Sequence, residues 1–573
     1  MTAPNLLSIN NLQVHFPSEN GNIEALRGIS FSLKKGETLG IVGESGSGKS
    51  ITALSILGLL PPTANLTSGE IFFQKKDGGL ADLAKLQQPD FQKIRGNEIA
   101  MIFQEPMTSL NPIFRCGEQV AEAIWIADCG LRIAEQERHK MAAEAVKSQV
   151  LNLFEKVKLH DPGRIWRSYP HQLSGGQRQR VMIAMALSCN PSLLIADEPT
   201  SALDVTVQLS ILQLINELKS DWGGSTIFIS HDLGVVAQVA DNVLVMQNGV
   251  VVEQGTVSDI FNKPQHPYTQ LLLENFRKRS QGISKPDGGG IGKPVRGPTG
   301  LEIPPSSGFP ILQIHNLQTH FPSKRNFFGR PTEHVKAVDS VSFEVFEGET
   351  LGLVGESGSG KTTLGRSILN LINPTSGEVV FRGKNILQQA ENEWFSTRKE
   401  LQIIFQDPYS SLNPRQPIGL ALTEPMQVHG LFASEKMRRE RAVELLETVG
   451  LEASHFWRFP SEFSGGQRQR ICIARALALE PKLIVCDEAI SSLDVTVQTQ
   501  VLDLLQVLQK KHGLTYIFIS HDLSVVRLIS DRIAVMKDGK IVEIGTTAEV
   551  FSQPKSEYTK QLLEAMPVAK LTD

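Results

Sequence analysis

The sequence predicts an α/β fold built twice, in tandem, along one chain. The stretch GETLGIVGESGSGKS starting at Gly36 returns as GETLGLVGESGSGKT at Gly348, so the chain repeats itself over a long period. Short β-branched runs (TLGIVG, LLIAD and TIFIS, then TLGLVG, LIVCD and YIFIS) alternate with helix-like stretches, the pattern of a largely parallel, buried sheet. Between the copies, residues 281–310 carry eight glycines and six prolines with no apolar periodicity, which reads as a flexible linker.

The offset between the copies is 312 at the glycine-rich stretch, 302 between IFQEPMTSLNP and IFQDPYSSLNP, and 290 between LSGGQRQR and FSGGQRQR. Two insertions in the first half account for the drift. The reading is a first domain over 1–280, a linker over 281–310 and a second domain over 311–573. Residues from about 117 to 170 and from about 417 to 460 are rich in helix formers with apolar spacings of three and four, and predict a helical insert in each half.

The 573 residues are 41% hydrophobic and 21% charged, with a net charge of −4 and no basic run, so nothing marks a nucleic-acid footprint. No stretch approaches 18 consecutive apolar residues, and the start lacks a signal-peptide pattern. The expectation is a chain that is neither secreted nor itself membrane-spanning. Five scattered cysteines (Cys116, Cys129, Cys189, Cys472, Cys486) show no metal-ligand spacing and read as free thiols, with Cys189 and Cys486 acting as small hydrophobes in apolar runs.

Gly43, Glu44, Ser45, Gly46, Ser47, Gly48, Lys49 and Ser50 fit the P-loop pattern G-x-x-x-x-G-K-[ST]. So do Gly355, Glu356, Ser357, Gly358, Ser359, Gly360, Lys361 and Thr362. Each follows a strand-like run and opens a helix-like one, where backbone N–H groups and the helix dipole cradle phosphate. Lys49 and Lys361 are placed to neutralise β- and γ-phosphates, and Ser50 and Thr362 to offer a hydroxyl to Mg²⁺. A tight glycine turn is the alternative reading. SLLIADE and KLIVCDE end in paired acids at the carboxyl edge of a buried strand, where ligands of α/β proteins bind. Asp197 and Asp487 read as Mg²⁺-shell residues and Glu198 and Glu488 as groups that polarise the attacking water, although paired acids can also cap the next helix.

The order P-loop, IFQEP, LSGGQ, DEPTSALD, SHD resembles the nucleotide-binding domains of ABC ATPases, and the second half repeats it as P-loop, IFQDP, FSGGQ, DEAISSLD, SHD. The resemblance covers nearly the whole chain except the linker and implies two tandem P-loop NTPase domains that bind ATP with Mg²⁺. It implies intramolecular pairing of the halves, so that Ser174, Gly175, Gly176 and Gln177 close over ATP on the second P-loop. Ser464, Gly465, Gly466 and Gln467 would close over ATP on the first. It makes Gln104 and Gln406 the glutamines that sense Mg²⁺ and water, His231 and His521 the switch histidines, and Asp204 and Asp494 the turn residues between the sites. Phe16 and Phe321 fall where the family stacks a ring on adenine, a core position being the lesser alternative for either. Ile51 stands where Thr363 supplies a second hydroxyl, and Ala489-Ile490 replace Pro199-Thr200. Neither removes a group assigned to metal or water, so two hydrolytically competent sites are expected.

EPMTSLNP, DPYSSLNP and KPQHPYTQLLL are similar to the peptide and nickel branch of ABC importers, with the HPYT mark (His266 to Thr269) in an extension over 263–280 and its counterpart SEYT at Ser556 to Thr559. The fused layout narrows the resemblance to importers of glutathione or di- and oligopeptides. That implies two transmembrane permease subunits, a periplasmic or extracellular solute-binding protein reached through them, and a peripheral place at the cytoplasmic face of the inner membrane. No iron–sulfur cluster is expected, since no cysteine lies between Cys189 and Cys472. The rival reading, a soluble tandem ABC ATPase acting on ribosomes, is weakened by a Gly/Pro linker where that group has a charged helical arm.

Overall fold

A computed structural model describes residues 5–18, 21–104, 109–129, 138–200, 203–281, 295–296, 302–303, 308–325, 331–491 and 493–566. Glu105 and Pro106 of IFQEP, most of the expected linker and part of the first helical insert lie outside the described residues. The chain divides into two compact units, Met1–Phe276 and Arg277–Met566. The boundary falls inside the helix Pro267–Gln281, which ends where the linker was expected to begin.

The first unit holds a six-stranded sheet in the order Val250–Thr256, Asn242–Gln247, Thr38–Val42, Ser225–Ser230, Leu193–Asp197, Ile99–Ile102. All neighbours are parallel except the outermost Val250–Thr256 pair. Its strands read as continuous apolar runs because both faces are covered. The period of two sends Leu193, Ile195, Ile227 and Ile229 into one core and Leu194, Ala196 and Phe228 into the other. One core packs the helix Lys49–Ile56 and a four-stranded antiparallel sheet in the order Gly21–Lys34, Asn5–Ser18, Asn65–Gln74, Leu80–Asp82. The other packs the helices Cys116–Cys129, Arg138–Lys156 and Pro162–Arg167, which occupy the expected insert.

The second unit repeats this plan, with a six-stranded sheet in the order Leu401–Ile404, Leu483–Asp487, Thr515–Ile519, Thr350–Val354, Arg532–Lys537, Lys540–Thr546. Its insert carries the helices Ile418–Val428 and Glu435–Thr448, then a short 3₁₀ turn, Ala453–Trp457. Part of the length difference has a visible place. The antiparallel hairpin turns in two residues between Phe381 and Lys384, and in five between Gln74 and Leu80.

The antiparallel sheet was not foreseen. Asn5–Ser18 pairs with Gly21–Lys34 through a register shift between Ile9 and Leu12, with Asn11 at φ 49°, which interrupts the alternation that marks a strand. Cys486 is buried, as its apolar run implies, and burial pushes its thiol up to about 12; Cys116 and Cys472 are also buried, their thiols pushed up to about 11. Cys189 departs from that reading: it is only half-buried, its Sγ 3.6 Å from the carbonyl of Ala123. Among the described residues no helix is long and apolar enough to cross a membrane.

Candidate nucleotide sites

The strand Thr38–Val42 runs into a turn through Gly46 and Gly48, at φ 79° and 100°, and the helix Lys49–Ile56 starts there. A side chain at position 48 would meet Leu26 at 2.7 Å and the carbonyl of Ala25 at 2.9 Å, so the loop passes only as glycine. Gly358 and Gly360 repeat the turn at φ 83° and 103°, with the carbonyl of Ala337 as the wall. Lys49 is buried, and its ammonium donates to the carbonyl oxygens of Gly43 and Glu44, both at 2.7 Å. Lys361 does the same to Gly355 at 2.7 Å and Glu356 at 2.8 Å.

The strands Leu193–Asp197 and Leu483–Asp487 deliver their acids to these loops. Ser50 Oγ donates to Asp197 Oδ1 at 3.2 Å, and Thr362 Oγ1 to Asp487 Oδ1 at 2.8 Å. Burial pushes the Asp197 carboxyl up to about 6, against the pull of Ser50 and Lys49, and raises Asp487 in the same way.

Glu198 and Glu488 follow at φ 47° and 46°, a left-handed backbone that a glutamate rarely adopts. Each N–H donates across the sheet at 3.0 Å, to the carbonyls of Ile229 and Ile519. The next two strands bring partners. Gln104 Nε2 donates to Glu198 Oε2 at 3.0 Å, while His231 Nδ1 lies 3.2 Å from Oε1. Gln406 and His521 stand at 2.9 Å and 3.4 Å from Glu488. Burial opposes ionisation of Glu198, but the hydrogen bond and charge of His231, with Lys49 and Gln104, outweigh it and hold the carboxyl below its usual range. For His231, burial disfavours the cation, and Glu198 outweighs it and raises the imidazole. In the second unit Lys361, Thr362, Thr363, Gln406 and Glu488 line one cavity of about 250 Å³.

The LSGGQ and FSGGQ segments lie at the starts of the helices Gly175–Leu187 and Gly465–Leu477. Ser174 accepts from the Gln177 N–H at 3.3 Å while the Gln177 side chain accepts from the Ser174 N–H at 3.1 Å, a reciprocal cap that Ser464 and Gln467 repeat. Gly176 leaves room for Val207, which a Cβ would meet at 2.7 Å, and Gly466 leaves room for Val497 in the same way. Asp494 caps its helix by accepting from the Val497 N–H at 3.0 Å, and Asp204 starts the matching helix Val205–Trp222. A Cβ at position 175 or 465 would make only ordinary contact with Leu203 or Leu493.

The structure separates the two aromatic candidates. Phe16 is half-buried against the core shared with Ile51, whereas Phe321 is exposed on the antiparallel sheet and does not line the 250 Å³ cavity. Two groups at the loops escaped sequence reasoning. The carbonyls of Ala25 and Ala337 wall the glycine turns. The hydroxyls of Tyr268 and Tyr558 accept from the N–H groups of Glu44 and Glu356 at 3.0 Å and 3.1 Å. The only sequence signal for the tyrosines is the recurrence of Tyr-Thr in HPYT and SEYT.

A glycine loop that seats a buried lysine, a strand-end aspartate held by the loop hydroxyl, a caged glutamate and a capped serine-glycine helix, present twice, define a tandem P-loop ATPase. The chain belongs to the ABC transporter family, whose sequence model matches residues 26–201 and 338–491; a model described as the oligopeptide/dipeptide transporter C-terminal region matches 252–288 and 542–572. It is an ATP-binding, ATP-hydrolysing member of that family. It is 47% identical to the glutathione import ATP-binding protein GsiA of Escherichia coli K12, over 100% of this chain and 91% of that one. GsiA of Salmonella choleraesuis is likewise 47% identical, over 98% and 90%. A transporter-type C-terminal region after both cores removes the ground for the ribosome-acting alternative.

Proposed function

We propose that this chain is the motor subunit of an importer for peptides of the glutathione or di-/oligopeptide class, held at the cytoplasmic face of the inner membrane by its partners. The observation that carries the substrate class is the 47% identity, over essentially the whole chain, to proteins named for glutathione import. The paired transporter-type C-terminal regions support it. The partners are two transmembrane permease subunits and, through them, a solute-binding protein. A groove of about 520 Å³ in the second unit, with Phe405, Glu424, His429 and Arg475 in its walls, lies between insert and sheet.

Within each site the residues divide the work. Gly46, Gly48, Gly358 and Gly360 shape the loops, and Lys49 and Lys361, seated on the loop carbonyls, meet the β- and γ-phosphates of ATP. Ser50 with Asp197 and Thr362 with Asp487 would hold Mg²⁺. Their donors are hard oxygens, and Asp487 Oδ2 is buried with no hydrogen-bond partner, which fits that ion. When bound it would neutralise charge on the phosphate oxygens. Glu198 and Glu488, kept ionised by His231 and His521, take a proton from the attacking water while Gln104 and Gln406 orient it. Positioning and charge stabilisation carry the rate, with no covalent phospho-enzyme.

The signature helices complete the sites by pairing of the halves. Ser174 to Gln177 meet ATP on the second loop, and Ser464 to Gln467 meet ATP on the first. Ser174 and Ser464 are exposed and begin helices of 13 residues, whose N-termini favour an anion. Closure draws the helical inserts together against the permeases, and hydrolysis lets the halves reopen.

The test is affinity purification of the full chain from gently solubilised membranes, followed by reconstitution with whatever co-purifies. Two polytopic membrane proteins in stoichiometric amount, and ATP-dependent uptake of glutathione or short peptides, are expected. Recovery of ribosomes without membrane proteins overturns the reading.

A further inference from the structure

Each phosphate loop is held from outside by the segment that follows its ATPase core. In the first half the Glu253 carboxylate accepts from the backbone N–H groups of Gln265 at 2.8 Å and His266 at 3.0 Å. That fixes the start of the helix Pro267–Gln281, whose first turn buries Tyr268 and Thr269. From there the Tyr268 hydroxyl accepts the Glu44 N–H at 3.0 Å, 224 residues back along the chain. The second half reproduces the device without the His-Pro. Glu543 accepts from the N–H groups of Lys555 and Ser556, both at 2.9 Å, and the Tyr558 hydroxyl accepts the Glu356 N–H at 3.1 Å.

The residue so held is one of the two on which the phosphate lysine leans. Lys49 Nζ donates to the Glu44 carbonyl at 2.7 Å, and Lys361 Nζ to the Glu356 carbonyl at 2.8 Å. One side of this residue is thus fixed by the C-terminal extension and the other seats the ammonium. The two halves keep the same three-part chain although the sequence around the tyrosine differs, HPYT in one and SEYT in the other.

We infer that Tyr268 and Tyr558 are positioning residues for ATP, each tying its phosphate loop to the C-terminal extension so that the lysine is set before nucleotide arrives. Presetting the loop lowers the ordering cost of binding and leaves the chemical step alone. The inference rests on the proposed role of Lys49 and Lys361 at the phosphates.

The experiment compares the full chain with the double variant Tyr268→Phe/Tyr558→Phe, which keeps both rings and removes both acceptors. KM for ATP should rise about three- to tenfold, the range of one neutral hydrogen bond per site, with kcat within about twofold. The control is Leu272→Val/Leu562→Val, which loosens the buried face of the same helices away from the Glu253 and Glu543 anchors and should leave KM unchanged. In the unmodified chain, the Glu44 and Glu356 amides should exchange hydrogen slowly before ATP is added. An unchanged KM in the Phe variant, an equal rise in the Val variant, or fast exchange of those amides overturns the inference. Lys49→Ala/Lys361→Ala separates the two ideas: if it binds ATP as tightly as the unmodified chain, the phosphate-site reading fails; if it loses ATP while the Phe variant does not, only the tyrosine role fails.

Discussion

In the first site Glu198 is caged by Gln104 at 3.0 Å and His231 at 3.2 Å; in the second Glu488 is caged by Gln406 at 2.9 Å and His521 at 3.4 Å. The lysine contacts agree as closely. One layer out the sites part. Arg366 lies 3.6 Å from Asp487 where the first half has Leu54, and Thr363 stands opposite Ile51. Lys537 covers the Tyr558 ring at 4.6 Å where the first half has Gln247. The groups assigned to ATP share one backbone geometry, including the left-handed glutamates, whereas the layer behind them varies in the charge it places near the strand-end aspartate.

The largest test of this likeness is Glu198→Gln against Glu488→Gln. Each should slow its own site by about 10²- to 10⁴-fold, so the two single variants should lose matched amounts of steady-state ATPase and the double variant nearly all of it. A single variant with full activity would show that its site does not contribute. The next test addresses the outer layer. In the Glu198→Gln background, where only the second site turns over, Arg366→Leu should lower the free Mg²⁺ needed for half-maximal rate by about two- to fivefold, because a partly exposed guanidinium is worth about 0.5–1 kcal/mol beside a carboxylate. An unmoved midpoint would make Arg366 a prop for Asp487 and not a competitor for its charge.

Sequence reasoning reached the loops and acids because phosphate binding demands fixed residue types at fixed short spacing. It reached the sheet because strands buried on both faces must be apolar throughout. It missed the antiparallel layer because the shift beside Asn11 hides the alternation. It did not foresee Tyr268 because a hydroxyl that finds a backbone N–H 224 residues away leaves no local pattern. Phe16 and Phe321 show the limit of carrying roles over by position, since a ring beside a core reads the same whether it stacks on a base or on its neighbours.

A smaller effect belongs to the His231–Glu198 pair. The raised His231 stabilises the fold below the ordinary imidazole range and loses that contribution as pH rises through its elevated pKa. The depressed Glu198 contributes above the ordinary carboxylate range and loses it as pH falls through its lowered pKa. The ion pair therefore acts between those limits. His231→Gln should lower the first unit's melting midpoint most at pH 5–6, by roughly 2–4 °C for about 1 kcal/mol, with the gap closing toward pH 9. A gap that widens with rising pH would mean that the neutral imidazole is the stabilising form.

The smallest expected effect is Ile51→Thr, which gives the first loop the hydroxyl of the second. Ile51 packs partly against the core, and its backbone carbonyl already accepts Ser55 Oγ at 2.7 Å, so the helix start is fixed without a side-chain hydroxyl. Lys49, Ser50 and Asp197 keep their contacts whichever residue follows. ATP KM should stay within about twofold, and the melting midpoint of the first unit should fall by about 2–4 °C as apolar packing is lost. A threefold or larger drop in KM would show that the hydroxyl adds a phosphate contact, and that Thr363 gives the second site an affinity the first lacks.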